Sequence, residues 1–281
     1  MARIFTLDAP EAAAPGRKAH HVVCADASEY HAYVTSHRHE ESTDAPRNWF
    51  GNVTRAQALA ATAHGDNACA AASDAMLTEI ETALDMPTPR TVTRLDVAGG
   101  IPCVPAHLAG APMAMRRRVR TMDEAAPLGI VVDVVCSGSI STRDMMKRGA
   151  AIVALVRLLC ARRPVECWAL AGSGAQGRTN GVFQWVKIDT APLDLARAAF
   201  ILGHIGFARR ITYATAKGEF GFDGGWPFGA RLSPKGYSGI VAQALPHLGD
   251  SLLIPAPHID DASITDPLAW IKEHLATYAP D

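Results

Sequence analysis

A short polar loop, Ser137-Gly-Ser-Ile-Ser141, follows an apolar run at residues 129–136 and is the segment best suited to bind a ligand. When a strand ends in Asp-x-Ser-x-Ser, its carboxylate and hydroxyl oxygens supply the ligands that Mg²⁺ prefers. Ser137 and Ser139 have this spacing, but Val135 stands where the aspartate is required. Asp133 shares that face of the strand, yet it lies two residues, or about 7 Å, too early. We therefore predict no metal site, and we interpret the three hydroxyls as ligand-binding groups or as caps of the following helix: Ser137, Ser139 and Ser141.

A glycine-rich stretch at residues 172–177 follows the next apolar run and matches Gly-x-Gly-x-x-Gly. A dinucleotide site needs a helix directly after this pattern. Here residues 181–189 are β-branched and aromatic, so the pattern favours a connection between two strands. The alternative is an anion held by backbone amides, with Gly172, Gly174 and Arg178 as the candidate residues. Because both loops follow predicted strands, we expect them at one edge of the sheet.

Histidines and arginines form three further candidate groups. His204, Arg209 and Arg210 are candidate interaction residues, or else the end of a core helix with exposed arginines. On a strand, Arg116, Arg118 and Arg120 would share one face and could contact phosphate, RNA or an acidic partner. The alternative is a charged edge strand that discourages aggregation. The early histidines include His37-x-His39 beside Glu40 and Glu41, but with no second ligand pair a solvated segment is the favoured interpretation.

Composition and missing motifs narrow the function. The net charge of −1 gives no bulk attraction to nucleic acid or to an anionic membrane. Six scattered cysteines without a Cys-x-x-Cys pair indicate a reduced, intracellular chain. No apolar run approaches the roughly 18 residues that span a bilayer, and the N-terminus has no signal-peptide pattern. Gly-x-Ser-x-Gly, His-Glu-x-x-His and a P-loop lysine are all missing, so we predict no catalytic residue and no cofactor.

The elements that position these residues are legible from periodicity. A strand at 129–136, a helix at 142–161 with an apolar stripe, and a strand at 163–170 form a βαβ unit. The pattern predicts an α/β fold, with a mainly parallel sheet flanked by helices and a Rossmann-like core. We expect a helix-rich N-terminal lobe at 1–125 and the sheet core at 126–281. The other predicted helices are 54–64, 66–84, 192–202, 204–217 and 266–278, and the other strands are 91–97, 116–122, 181–189 and 252–255.

The chain also resembles an uncharacterised, largely phage-associated family, catalogued as a domain of unknown function. The resemblance extends from about Trp49 to Trp270 and rests on these segments: Trp49-Phe50-Gly51, Val97-Ala-Gly99, 104–110, Arg148-Gly149, His204 with Arg209-Arg210, and Gly236-Tyr237. Cys103, Ala111 and Ile205 depart from the pattern. The resemblance implies a phage or prophage origin and a place in the host cytoplasm or the virion. The core is similar to a von Willebrand factor A domain with a degenerate metal loop.

Three hypotheses about function follow. The first is a non-enzymatic protein that binds a phage or host protein through its strand-end loops. The second is an enzyme acting on phosphate-containing substrates, such as a nuclease or a nucleotide hydrolase. Asp133 or Asp189 in a cleft beside Ser137 would favour the enzyme, and apolar packing there would favour the binding module. The third is a structural virion component that assembles through Trp226-Pro-Phe228.

Overall fold

The apolar runs of the chain form one six-stranded sheet in a computed structural model of the protein. The structure describes residues 1–11, 13, 16–40, 45–84, 91–98, 100–120, 127–173, 180–222, 232–249 and 251–278. The strands of this sheet are β1 (Arg3–Asp8), β2 (Lys18–Cys24), β6 (Leu128–Asp133), β7 (Val165–Ser173), β8 (Gly181–Ile188) and β9 (Ser251–Ile254). A separate three-stranded sheet consists of β3 (Thr91–Asp96), β4 (Ile101–Pro102) and β5 (Met115–Arg120).

The large sheet is mixed, with strand order β1-β2-β8-β7-β6-β9. Three neighbouring pairs are parallel, namely β2 with β8, β7 with β6, and β6 with β9. The other two pairs, β1 with β2 and β7 with β8, are antiparallel. The α/β class and the helix-flanked sheet are thereby confirmed. Because β6, β7 and β9 run in the same direction, they all end at one edge, which we call the strand-end edge.

Helices cover both faces of the sheet, because β6 is apolar on both sides. Ile130 and Val132 belong to a large core cluster on one face, and Val131 belongs to a smaller cluster on the other. The helices are α1 (Ala27–Ser36), α2 (Arg55–His64), α3 (Asn67–Leu84), α4 (Val104–Leu108), α5 (Thr142–Cys160), α6 (Leu195–Gly203), α7 (Tyr213–Phe220), α8 (Pro234–Ala244), α9 (Ala262–Thr265) and α10 (Pro267–Tyr278). In addition, Arg47–Phe50 is a 3-10 helix and Phe207–Thr212 is π-helical. The larger cluster includes side chains of α1 to α3, α5, α6 and α10, and the smaller one those of α8.

The predicted βαβ unit is present as β6, α5 and β7. Ser141 caps α5, because its Oγ accepts a hydrogen bond from the Asp144 backbone N–H at 3.1 Å. The predicted strand continues to residue 136, whereas β6 ends at Asp133, although the Val134 N–H still bonds to the Leu170 carbonyl at 2.9 Å. The unit therefore delivers the 137–141 loop to the strand-end edge, as the pattern predicts.

The glycine-rich stretch connects two antiparallel strands, as expected, and precedes no helix. Gly172 lies inside β7, and a Cβ there would meet Phe183 Cδ1 of β8 at 2.5 Å. Close packing of β7 on β8 therefore explains this glycine. Gly174 and Arg178 lie outside the described residues.

The predicted limits of the other helices agree with the structure in most cases and differ in one. Thr54 caps α2 in a capping box with Gln57, and α3 and α10 lie where predicted. The helix predicted from Pro192 is wrong at its start. Ala191-Pro192 is a cis peptide, and Asp194 caps a helix that begins at Leu195. Strands β1 and β2, which the pattern did not reveal, place residues 3–24 in the same sheet as the strands that follow residue 125.

Replacing Gly149 with alanine should destabilise the protein, because a Cβ at this position would overlap the Gly203 backbone where α5 meets α6. Alanine would gain about 1 kcal/mol of helix propensity. Forcing the two helices apart costs about 1–3 kcal/mol or more when the obstacle is backbone. We therefore expect a lower free energy of unfolding and a lower urea midpoint. Gly100→Ala is the control, since a Cβ there meets nothing within 4 Å. An unchanged midpoint for Gly149→Ala would contradict this packing.

Candidate functional site

At the strand-end edge, the last carboxylate of β6 is buried in a hydrogen-bond network. Asp133 is only 2% exposed. Its Oδ1 accepts from the Val135 N–H at 3.1 Å, and its Oδ2 accepts from the Tyr237 hydroxyl at 2.7 Å. The Tyr237 hydroxyl in turn accepts from the Ala256 N–H at 3.1 Å. The network therefore ties together the ends of β6 and β9 and helix α8.

Burial governs the charge of this carboxylate. Loss of water raises the pKa of Asp133 to about 7, although the hydrogen bonds from Tyr237 and Val135 and the nearby Arg148 guanidinium act in the opposite direction. Desolvation also raises the pKa of the Tyr237 hydroxyl. Asp133 consequently changes its ionisation near neutral pH instead of near pH 4.

A second buried charge, Arg148 of α5, lies on the same strand ends. Its Nη2 donates to the Asp133 carbonyl at 3.2 Å and to the Pro255 carbonyl at 2.8 Å. Burial lowers the pKa of this guanidinium, while Asp133 and Asp261 oppose the shift. Because an arginine remains charged in proteins, this side chain acts as a fixed cation that joins α5 to β6 and β9.

A second arginine connects the 137–141 loop with the segment around Trp49. Arg209 is only 4% exposed. Its Nη1 donates to the Trp49 carbonyl, and its Nη2 donates to the Ser137 carbonyl, each at 2.8 Å. The guanidinium carbon also lies 4.9 Å from the centroid of the Trp49 ring. One buried cation thereby holds two loops side by side.

The outer side of these two loops forms what we call the strand-end surface, composed of Trp49, Ser137, Gly138 and Ser139. Gly138 and Ser139 are exposed, and Trp49 and Ser137 are half-buried. The two serine Oγ atoms lie 3.0 Å apart and share a hydrogen bond. A Cβ at Gly138 would lie 3.8 Å from Trp49 Nε1, an ordinary contact. The surface therefore presents an aromatic ring beside two hydroxyls.

His204 and Arg210 contact the residues that follow Trp49. His204 Nδ1 accepts from the Gly206 N–H at 3.0 Å, and burial lowers the pKa of this imidazole. A Cβ at Gly51 would lie 2.7 Å from His204 Cε1, so glycine permits the approach. The Arg210 guanidinium lies 3.7 Å from the Phe50 ring centroid, and its Nε donates to the Val53 carbonyl. In a regular helix, the six-residue spacing would place His204 and Arg210 on different faces. Because the helix breaks at His204 and continues as a π-helix, both side chains contact residues 50–53.

The structure does not place a predicted carboxylate in a cleft beside Ser137. Asp133 is buried in the network described above, and Asp189 follows β8 at the opposite edge of the sheet, because β8 is antiparallel to β7. Ser141 caps α5, so it contributes to the helix and not to the strand-end surface. Trp226, Pro227 and Phe228 lie outside the described residues.

The early histidines do not form one group. His21 is buried in β2 between aromatic rings, whereas His37 follows α1 and packs on Tyr33. Glu40 forms an ion pair with Lys217, and Glu41 lies outside the described residues. Within the described part of the chain, no three metal-ligating side chains of His, Cys, Asp or Glu come together.

Several residues that carry the family resemblance meet at this edge: Trp49, Gly51, Arg148, His204, Arg209 and Tyr237. A family model described as "Domain of unknown function (DUF7192)" matches residues 18–277, from β2 to α10. The chain belongs to the DUF7192 family. No curated protein and no solved structure matches it. Among the described residues of this DUF7192 protein, no helix is long and apolar enough to cross a membrane.

Replacing Asp133 with asparagine should remove one pH-dependent contribution to stability. The native pKa lies above the ordinary aspartate value, so wild-type stability from this group is highest below about pH 4 and falls as pH rises towards 7. The difference corresponds to roughly 4 kcal/mol. Asparagine does not titrate, so the free energy of unfolding of Asp133→Asn relative to wild type, measured in urea from pH 4 to pH 8, should rise by about this amount as pH increases. Asp189→Asn, at an exposed position, is the matched control. A pH profile of Asp133→Asn that runs parallel to wild type would refute the buried titration.

Replacing Arg209 with methionine should loosen both loops at once. The variant keeps much of the side-chain volume but removes the donors to the Trp49 and Ser137 carbonyls, at a cost of about 3 kcal/mol for charged hydrogen bonds. Amide hydrogen exchange should therefore accelerate in residues 47–51 and 137–141 together. Arg157→Met is the control, because Arg157 makes an exposed ion pair with Asp74 worth at most about 1 kcal/mol. Faster exchange in only one loop would argue against the bridge.

Proposed function

We propose that this DUF7192 protein is a non-enzymatic module that binds another protein through its strand-end surface. One observation carries the proposal. Buried Arg209 donates to both the Trp49 and the Ser137 carbonyl and stacks on the Trp49 ring. A Trp49 ring that is held by a buried cation has little conformational freedom to lose when a partner binds.

The chemistry of the surface supports a protein partner. Tryptophan is among the residues that contribute most binding energy at protein interfaces, because it has a large apolar area and a polar N–H. Ser137 and Ser139 lie beside it and can donate or accept hydrogen bonds at the rim. Carboxyl ends of strands are also where α/β sheets commonly place ligands.

The positions of the acidic residues favour this interpretation over a phosphate-processing enzyme. Asp133 uses both carboxylate oxygens within the buried network, and Asp189 lies at the opposite edge. The enzyme hypothesis predicts stabilisation by a nucleotide, with or without Mg²⁺, in a thermal-shift measurement.

The origin and the fold relationship are further parts of the proposal. The resemblance to a largely phage-associated family supports a phage or host protein as the partner, and a place in the host cytoplasm or the virion. The similarity of the core to a von Willebrand factor A domain with a degenerate metal loop agrees with a binding role.

A glutamate at Gly138 tests the site, because it places a charged side chain on the strand-end surface, and its Cβ would make only an ordinary contact of 3.8 Å with Trp49 Nε1. The tagged protein is purified from phage-infected cells, its stoichiometric partner is identified by mass spectrometry, and the affinity is measured with purified components. We expect Gly138→Glu to weaken binding at least about tenfold.

The matched control is Gly100→Glu, which adds the same side chain at another open position, just before β4 of the small sheet. It should leave this affinity unchanged. Equal binding by Gly138→Glu and wild type would show that the partner docks elsewhere. A nucleotide-dependent thermal shift without any protein partner would replace the module with the enzyme.

A further inference from the structure

The small sheet exposes an unusual share of the apolar surface. We call residues 91–98 and 100–120, which include β3, β4, β5 and α4, the basic arm. Of the ten large apolar side chains that are well exposed among the described residues, six lie in the basic arm. Their exposed fractions range from 44% to 81%, and they are Leu95, Val97, Ile101, Val104, Leu108 and Met113. Exposed apolar side chains concentrated in one segment are typical of a surface that a partner covers.

The same segment is strongly positive. Residues 91–120 contain five arginines and a single acidic residue, Asp96, so their formal charge is +4 within a chain of net charge −1. The remainder of the chain is therefore acidic. This separation of charge selects an acidic partner for the basic arm.

Strand pairing mixes the two kinds of chemistry in one row. Arg116 of β5 is paired with Leu95 of β3 on one side and with Ile101 of β4 on the other. Directly paired residues of antiparallel strands lie on the same face. One exposed arginine is thus flanked by two exposed aliphatic side chains. Cys103 lies beside this row. A hydrogen bond with the Ala106 N–H and, to a smaller extent, the Arg116 guanidinium lower the pKa of its thiol.

Further along β5, the backbone register places two more arginine positions in line with Arg116. Arg118 is paired with Thr93, and Arg120 with Thr91. Since strand positions alternate between faces, these positions share a face with Arg116. The sequence predicts this basic stripe. The flanking aliphatic residues are a feature that only the strand pairing reveals.

We propose that the basic arm binds an acidic segment of a partner protein in which acidic and apolar side chains alternate. Such a segment matches the arginine and aliphatic row in both charge and hydrophobicity. Residues 91–120 contain no Phe, Trp or Tyr, and single-stranded nucleic acid is usually held by stacking on aromatic rings. The proposal is independent of the strand-end surface, because it rests on different residues.

The test measures fluorescence anisotropy of the full-length protein with four labelled probes. These are a short peptide of alternating Glu and Leu, an all-Glu peptide of the same length, an oligothymidylate, and vesicles of phosphatidylcholine with phosphatidylserine. We expect the alternating peptide to bind most tightly. Arg116→Glu should weaken that binding at least about tenfold, because it replaces attraction by repulsion, and Gly100→Glu should weaken it as well.

Ile101→Ser separates the apolar contribution from the charge, and it should weaken the alternating peptide while leaving the all-Glu peptide nearly unchanged. Lys272→Glu, which reverses a charge at an exposed position of α10, is the matched control and should bind all four probes like wild type. Circular dichroism checks that each variant is folded. Tighter binding of the oligothymidylate or the vesicles, or an Arg116→Glu variant that binds like wild type, would overturn the proposal. So would self-association that Arg116→Glu abolishes, since the occupant would then be a second copy of this chain.

Discussion

The strand-end edge depends on satisfying the polar groups where β6 and β9 end inside the protein. Backbone carbonyls and a carboxylate that lose water there must find partners or destabilise the fold. Arg148 supplies donors to the Asp133 and Pro255 carbonyls, and the Tyr237 hydroxyl serves both the Asp133 carboxylate and the Ala256 N–H. These groups come from α5 and α8, on opposite faces of the sheet. The same contacts that close the core therefore fix the position of the loop that leaves β6.

Close packing of α5 on α6 determines where the π-helix lies relative to the strand-end surface. Gly149 and Gly203 allow α5 and α6 to approach until their backbones touch. Since α6 ends at Gly203, this approach places the following π-helix beside the 137–141 loop. The wider π-helical turn lets consecutive arginines, Arg209 and Arg210, both reach the segment around Trp49. The strand-end surface therefore rests directly on buried side chains.

Sequence periodicity predicted the parts of this arrangement that depend on local structure. Local sequence was enough to predict the βαβ unit, the Ser141 cap and the β7–β8 connection, because each depends on neighbouring residues. The roles of Arg209 and Tyr237 could not be predicted from it, because their partners are 72 and 104 residues away. The buried character of Arg209 was also hidden, since an arginine pair near a helix end ordinarily faces water. The aromatic pair Trp49-Phe50 was the one available signal, because arginines pack favourably over aromatic rings, but its position 160 residues away gave no indication of this contact.

Two buried titratable groups give the core opposite responses to pH. Burial lowers the pKa of His21, which lies between Phe5 and Phe183, to about 4. Its contribution to stability is therefore complete above the ordinary histidine value and is lost as pH falls towards 4. Asp133 contributes in the reverse direction, with stability lost as pH rises towards 7. Over this interval the two contributions largely offset each other, so the fold can keep a polar network at the strand-end edge without becoming strongly dependent on pH. What changes across the interval is the charge beneath the strand-end surface, which becomes more negative as Asp133 ionises behind the 137–141 loop.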